Sequence, residues 1–148
     1  SGGGLFLPAG LNRALADATV LNTERLEIVT ASGVRALEVE IADTPAKQAL
    51  GLMYRTQLPD TAGMLFTHPG ERELSMWMRN TYIPLDMVFI RADGTIHRIA
   101  AMTEPHSEEI IASNGAVAAV LEIAGGAAQR LGIKAGDTVR HRHFKTAQ

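Results

Sequence analysis

From Glu24 onward the chain alternates polar and apolar residues with a period of two. Arg25 and Glu27 interleave with Leu26 and Ile28, and beyond Ser32-Gly33, Glu38 and Glu40 interleave with Leu37, Val39 and Ile41. Side chains two apart share one face of a strand, so this stretch predicts a β-hairpin with one buried face. Thr44-Pro45 then reads as a helix N-cap with proline at the first helical position, and Gly51 is placed to end the short helix they open. Lys47 holds the position where a capping box would put Glu or Gln, so the cap rests on Thr44 alone.

Short apolar runs with polar breaks come next at 64–66, 74–78, 87–90 and 96–102, the last two joined by a tight turn at Asp93-Gly94. A further strand is expected over 117–123. Gly125-Gly126 then leads into a helical turn or two that reaches Leu131 and stops at Gly132. After the turn Lys134-Ala135-Gly136-Asp137, a last strand is expected over 138–143. Many short strands with two short helices predict a β-rich α+β domain over 23–145, its antiparallel strands forming a closed or half-closed barrel. Residues 1–22 are Gly-, Ala- and Leu-rich with little periodicity, and read as a flexible or loosely docked lead-in. Their start, Ser1-Gly2-Gly3-Gly4, reads as a trimmed terminus from which any signal peptide has been removed.

Composition narrows the chemistry. The 148 residues are 46% hydrophobic and 20% charged, the balance of a folded domain. Net charge is −2, which gives no footprint for nucleic acid, and no apolar run is long enough to span a membrane. There is no cysteine, which removes thiolate catalysis, cysteine-based zinc sites and iron–sulfur clusters, and leaves both cytosol and periplasm open.

Chemically distinctive residues concentrate at 73–91. Read as a strand over 74–79, the segment puts Leu74, Met76 and Met78 on one face and Ser75, Trp77 and Arg79 on the other. With the Leu/Met face in the core, the chain's one tryptophan and an arginine point away together. An aromatic plane beside a guanidinium suits stacking on a sugar, a base or another planar ligand. The more ordinary use of such a tryptophan is packing under a loop. Asn80-Thr81 leads to Ile83-Pro84, where Pro84 keeps Ile83 out of the helical region, and then to Asp86 at the mouth of an apolar strand. A carboxylate there can act as a general base or hold a ligand hydroxyl. More commonly it accepts hydrogen bonds from the N–H groups of its own loop and fixes the turn.

Five segments together carry a resemblance: Gly51-Leu52-Met53-Tyr54-Arg55, Gly63-Met64-Leu65-Phe66, Trp77-Met78-Arg79-Asn80-Thr81, Ile83-Pro84-Leu85-Asp86 and Gly136-Asp137. In this order, over about 37–141, the chain resembles the family known as domain of unknown function 192. The run from Trp77 to Asp86 is the specific part. Arg79 stands where many members carry lysine, so the positive charge is kept. The resemblance implies a compact β-rich α+β fold, often found in exported bacterial and archaeal proteins, and an exported or periplasmic location is the corresponding expectation. It implies no established activity. It adds Arg55, the end of a family motif, to the candidate residues.

Other side chains carry weaker signals. All six methionines fall between Met53 and Met102. Thioethers are soft ligands for copper(I), although methionine interleaved with leucine and phenylalanine usually packs. His141 and His143 would share a face of the last strand and could share a metal, but they lie among Arg140 and Arg142. His97 follows the Asp93-Gly94 turn, and a hairpin could carry it toward Asp86 to form an acid–base pair beside Arg79. No nucleophile elbow, zinc-protease motif or phosphate loop is present.

The leading expectation is a small non-catalytic binding module in which Arg55, Trp77, Arg79, Asn80 and Asp86 border a pocket for a polar ligand such as a saccharide. It calls for no metal and no cofactor. An enzyme using Asp86 with His97 or Arg79 in hydrolytic or proton-transfer chemistry is the alternative, and a copper(I) carrier using Met76 and Met78 is a second. A protein partner at an exposed strand edge or apolar patch is a further expectation.

Overall fold

The period-two alternation folds as a hairpin: β1 (Thr23–Thr30) and β2 (Gly33–Ala42) pair antiparallel from Thr23↔Glu40 to Thr30↔Gly33. Leu26, Ile28, Leu37 and Val39 are buried. The computed structural model describes residues 23–145, so the expected lead-in over 1–22 lies outside the described residues. Thr44 caps α1 (Pro45–Leu50), its Oγ1 accepting from the Lys47 N–H at 3.2 Å. Gly51 closes the helix at φ 50° and ψ −134°, a conformation that glycine alone adopts cheaply. The Gln48 side-chain amide ties α1 to the sheet by donating to the carbonyls of Ala42 and Thr67, at 3.0 and 2.9 Å.

The runs at 64–66 and 74–78 are two ends of one bent strand, β3 (Ala62–Met76). It is interrupted by register shifts at Thr67/Arg72 and Glu73/Ser75, which hide its continuity in the sequence. Four more strands complete the sheet: β4 (Leu85–Ile90), β5 (Ile96–Thr103), β6 (Ile111–Ala124) and β7 (Thr138–Arg140), with α2 (Ala127–Leu131) after β6. The seven strands lie in the order β5-β4-β6-β3-β2-β1-β7. The sheet is mixed rather than wholly antiparallel, because β2 and β3 run parallel, from Glu38↔Ala62 to Ala42↔Phe66. The crossover through α1 permits this, since parallel neighbours need a longer connection than a hairpin turn.

One end of the sheet curls toward the other. Thr95, just ahead of β5, bridges Thr138 in β7, and Ile96 N–H donates to the Asp137 carbonyl at 2.9 Å. The result is a half-barrel. Strand β7 stops at Arg140, short of the expected 143, because the chain turns there and buries Phe144 in the inner core. Glu24 holds that turn, accepting from His141 at 2.7 Å and from Arg142 at 2.9 and 2.8 Å. Arg142 foremost holds the Glu24 carboxyl below its usual range.

Two cores flank the sheet. The inner one gathers Leu26, Val39, Leu65, Val88, Leu121 and Val139. The outer one places Phe66, Met87, Phe89 and Val120 beneath Leu52 and Met78. Strand β6 serves both, so its residues are buried on either face. No helix among the described residues is long and apolar enough to cross a membrane.

Asp86 fastens three segments to one another. It is fully buried in β4, and its carboxylate accepts from the N–H groups of Met102 (2.8 Å), Gly126 (3.0 Å) and Ala128 (2.9 Å). Helix α2 has Gly126 at its N-cap and no capping side chain of its own, so Asp86 satisfies its first donors from the neighbouring strand. Asp86→Ala would leave three backbone donors, one buried and two part-buried, without this acceptor. We expect it to lower stability by about 4 kcal/mol in urea unfolding, and Asp86→Asn by less. An unchanged midpoint in Asp86→Ala would contradict this role.

Candidate functional site

Beyond Met76 the chain leaves the sheet and makes a turn that sorts its side chains. Met78 N–H donates to the Ser107 carbonyl at 2.9 Å, and the buried Met78 sulfur accepts from Thr103 Oγ1 at 3.2 Å. Thr81 N–H closes the turn on the Met78 carbonyl (3.1 Å), while its hydroxyl donates to the Arg79 carbonyl (3.0 Å). Asn80 takes φ 53°, a left-handed conformation that asparagine tolerates, and its side chain donates to Tyr54 Oη at 3.1 Å. Met78, Asn80 and Thr81 therefore build the turn, and Trp77 and Arg79 are left facing outward. The Arg79 guanidinium carbon lies 5.4 Å from the centroid of the Trp77 ring, and Trp77 is 41% exposed. Trp77 thus keeps the stacked, outward arrangement expected of it, from a turn rather than from a strand reaching 79.

Trp77 and Arg79 border a cavity of about 200 Å³ between this turn, α1 and the Gly51–Met53 segment. Phe66, Leu52 and Met76 give it apolar walls. Gly51 is needed at its back: a Cβ there would come within 3.2 Å of the Phe66 ring.

Glu122 also lines this cavity, and sequence reasoning overlooked it. It sits in β6 opposite Met64 of β3 and Met87 of β4, is 4% exposed, and has no hydrogen-bond partner for its carboxyl among the described residues. Burial alone pushes that carboxyl from 4.5 up to about 8. Gly63 makes the close strand approach here, because a Cβ would stand 2.7 Å from the Glu122 carbonyl oxygen. A signal was available: Glu122 is the one ionisable residue within 117–124, an otherwise apolar strand.

The other candidates are dispersed. Arg55 forms a bidentate pair with Glu40 at 2.7 and 2.8 Å, which raises its own pKa and pins the 51–55 segment to β2. It lines a separate groove of about 170 Å³ on the far side of Gly51. Asn80 serves the Tyr54 contact, and Asp86 lies buried with both oxygens engaged. Asp86 plays the turn-fixing part weighed for it, but for distant segments rather than its own loop.

The acid–base pair of Asp86 and His97 does not form. His97 binds the Arg91 side chain at 2.7 Å through Nδ1 and the Asn114 carbonyl at 2.9 Å through Nε2. Leu85 pairs with Thr103 and Phe89 with Arg98, so His97 lies near the far end of β4, roughly 10 Å of strand from Asp86. Met76 lines the cavity whereas Met78 is spent beneath the turn, and His68, which shares the adjoining groove with Met76, is engaged by Arg72 at 3.0 Å. His141 and His143 are engaged with Glu24 and the Ala118 carbonyl. Among the described residues no group of three or more His, Asp or Glu side chains could hold a metal ion.

A family model described as DUF192, Uncharacterized ACR, matches residues 27–141. A crystal structure from Sinorhizobium meliloti 1021, of a protein provisionally named a transcription regulator, is similar at 46% identity and TM-score 0.79. The match covers 82% of this chain and 95% of that one. A protein of unknown function from Novosphingobium aromaticivorans is similar at 43% identity and TM-score 0.78, over 80% of this chain and 85% of that one. No significant match is found among curated proteins.

The raised Glu122 carboxyl has a consequence for stability. Between pH 4.5 and about 8 the folded state keeps a proton that the unfolded state has lost, so stability falls as pH rises through this window and levels off above it. Glu122→Gln removes the ionisable group. We expect the variant to be more stable than the parent by about 5 kcal/mol at pH 9 and equal to it at pH 4.5, read from urea unfolding at the two values. A difference independent of pH would contradict the assignment.

Proposed function

For this chain, which belongs to the DUF192 family, we propose the role of a small non-catalytic binding module. Its ligand is a compact polar molecule with one flat face, a saccharide ring being the class that suits the site. The observation that carries this reading is the Trp77–Arg79 stack held off the core at the mouth of an apolar-walled cavity. A half-exposed tryptophan braced by a guanidinium offers a rigid platform, and about 200 Å³ accommodates a single ring rather than a long chain. Ser75, Gln48 and Glu122 supply polar atoms around it, the mixture that orients a polar ligand in an apolar pocket.

Binding is favoured over hydrolysis by Asp86 with His97 because both of those side chains are committed elsewhere. Asp86 is occupied by backbone donors and His97 by Arg91 and Asn114. The provisional name of the Sinorhizobium meliloti relative raises a regulatory use. In this chain a net charge of −2 gives no electrostatic support for nucleic-acid contact, so the proposal rests on the pocket.

Trp77 is the one tryptophan in the chain, so its fluorescence reports on the cavity mouth directly. Titration with a monosaccharide panel should include a member that shifts Trp77 emission and raises the melting temperature. At a hundred times its Kd that ligand should add about 2.7 kcal/mol. Trp77→Ala should keep the fold and weaken this ligand at least about tenfold, or 1.4 kcal/mol. Undiminished affinity in a folded Trp77→Ala would end the reading.

A further inference from the structure

We propose that the cavity beneath Trp77 receives the ammonium end of a primary-amine ligand, with the Glu122 carboxylate as its counter-ion. This rests on the binding-module reading and specifies the chemistry of its ligand, an amino sugar being one example.

The hydrogen-bonding inventory of the cavity points this way. Gln48 spends both amide hydrogens on the Ala42 and Thr67 carbonyls, which leaves Oε1 as an acceptor. Thr81 spends its hydroxyl hydrogen on the Arg79 carbonyl and keeps its lone pairs. Glu122 adds a carboxyl with no partner among the described residues. The cavity's donors are Arg79 and Trp77 at its mouth and the Ser75 hydroxyl, which also accepts; Gln48, Thr81 and Glu122 add acceptors. An ammonium group brings three N–H donors and no acceptor, so it complements those acceptors better than a hydroxyl or an amide does.

Charge completes the argument. Around Glu122, β3 and β4 present Met64 and Met87, neither ionisable. Helix α1 contributes Gln48, Ala49 and Leu50 to the cavity, and the segment after it Leu52 and Met53, again without charge. Among the described residues Arg79 is the one charged side chain on the cavity besides Glu122, while His68, Arg72 and Glu73 lie on the adjoining groove beyond Ser75 and Met76. Arg79 is half-exposed at the mouth, stacked on Trp77 and 4.0 Å from Glu108. Arg55, in the neighbouring groove, is paired with Glu40. Among the described residues Glu122 has no counter-ion, and burial alone raises its proton affinity. An entering cation would displace that proton to solvent and form an ion pair between apolar walls, to which Phe66 and Trp77 contribute.

The test uses cyclohexylmethylamine and its neutral counterpart cyclohexylmethanol, titrated into the full chain at millimolar concentration with Trp77 emission as readout. The amine should bind at least about tenfold more tightly than the alcohol at pH 8. Its affinity should rise about tenfold per pH unit from pH 6 and flatten near pH 8, where Glu122 ionises unaided. Calorimetry at pH 7 in buffers of different ionisation enthalpy should detect release of a proton as the amine binds, and none in Glu122→Gln. Glu122→Gln, checked for folding by circular dichroism, should lose the preference for amine and the pH slope while keeping the alcohol. Arg79→Gln, which removes the positive charge at the mouth, should bind the amine more tightly. If the alcohol binds as well as the amine and Glu122→Gln changes neither, the counter-ion role falls and the binding module stands. If neither probe nor any saccharide moves Trp77, both fall.

Discussion

The Asp86 carboxylate is the fixed point around which this domain is arranged. Moving a carboxylate into a protein interior is unfavourable unless hydrogen bonds replace its water, and here donors from Met102, Gly126 and Ala128 do so. Each comes from a different stretch of chain than Asp86 itself. The end of β5, the exit from β6 and the first turn of α2 must therefore meet at one place before the charge is satisfied. Glu122 sits one residue further along the same ladder, since Asp86 pairs with Ile123 and Met87 with Glu122. Adjacent positions on paired strands face opposite sides of a sheet. One carboxyl is consequently enclosed by donors beside α2, and the other is left against methionines and a cavity.

The specific run from Trp77 to Asp86 is explained by two demands at once. Met78, Asn80 and Thr81 form a turn whose backbone closes on itself and on Ser107, and Asp86 anchors the start of β4 just beyond that turn. The Trp77 and Arg79 side chains take no part in that closure, to which Arg79 lends only its carbonyl; they are the outward teeth of the same turn. A motif of this kind makes the posture of a binding surface depend on the integrity of the turn that carries it, so a change in the turn-building residues would disturb the surface.

Much of this was legible in the chain because it depends on neighbours in sequence. The β1–β2 alternation, the Thr44 cap, the Gly51 and Gly132 stops and the Asp93-Gly94 turn are local rules, and each appears where the residues put it. The continuity of β3 was not legible, because its register shifts break the apolar period between 67 and 75. The parallel pairing of β2 with β3 depends on where a short helix lays the chain down, which no pattern within either strand encodes. For the site, Trp77 and Arg79 could be read from their alternation with Met76 and Met78. Glu122 was passed over because an apolar strand reads as core, and the meaning of one carboxyl in it depends on the cavity that α1 and the Trp77 turn create. Asp86 and His97 shared a hairpin, but the register of β4 with β5 sets them at opposite ends.

The strand order carries a consequence for synthesis. Strand β6, at 111–124, lies between β3 and β4, both of which leave the ribosome first. Until it arrives, the nascent chain can close the β1–β2 and β4–β5 hairpins, but the two halves have no shared edge. The apolar sides of β3 and β4 wait for their common neighbour. The sheet cannot be complete until this central strand has been made, and the stretch that completes it is also the one that carries Glu122.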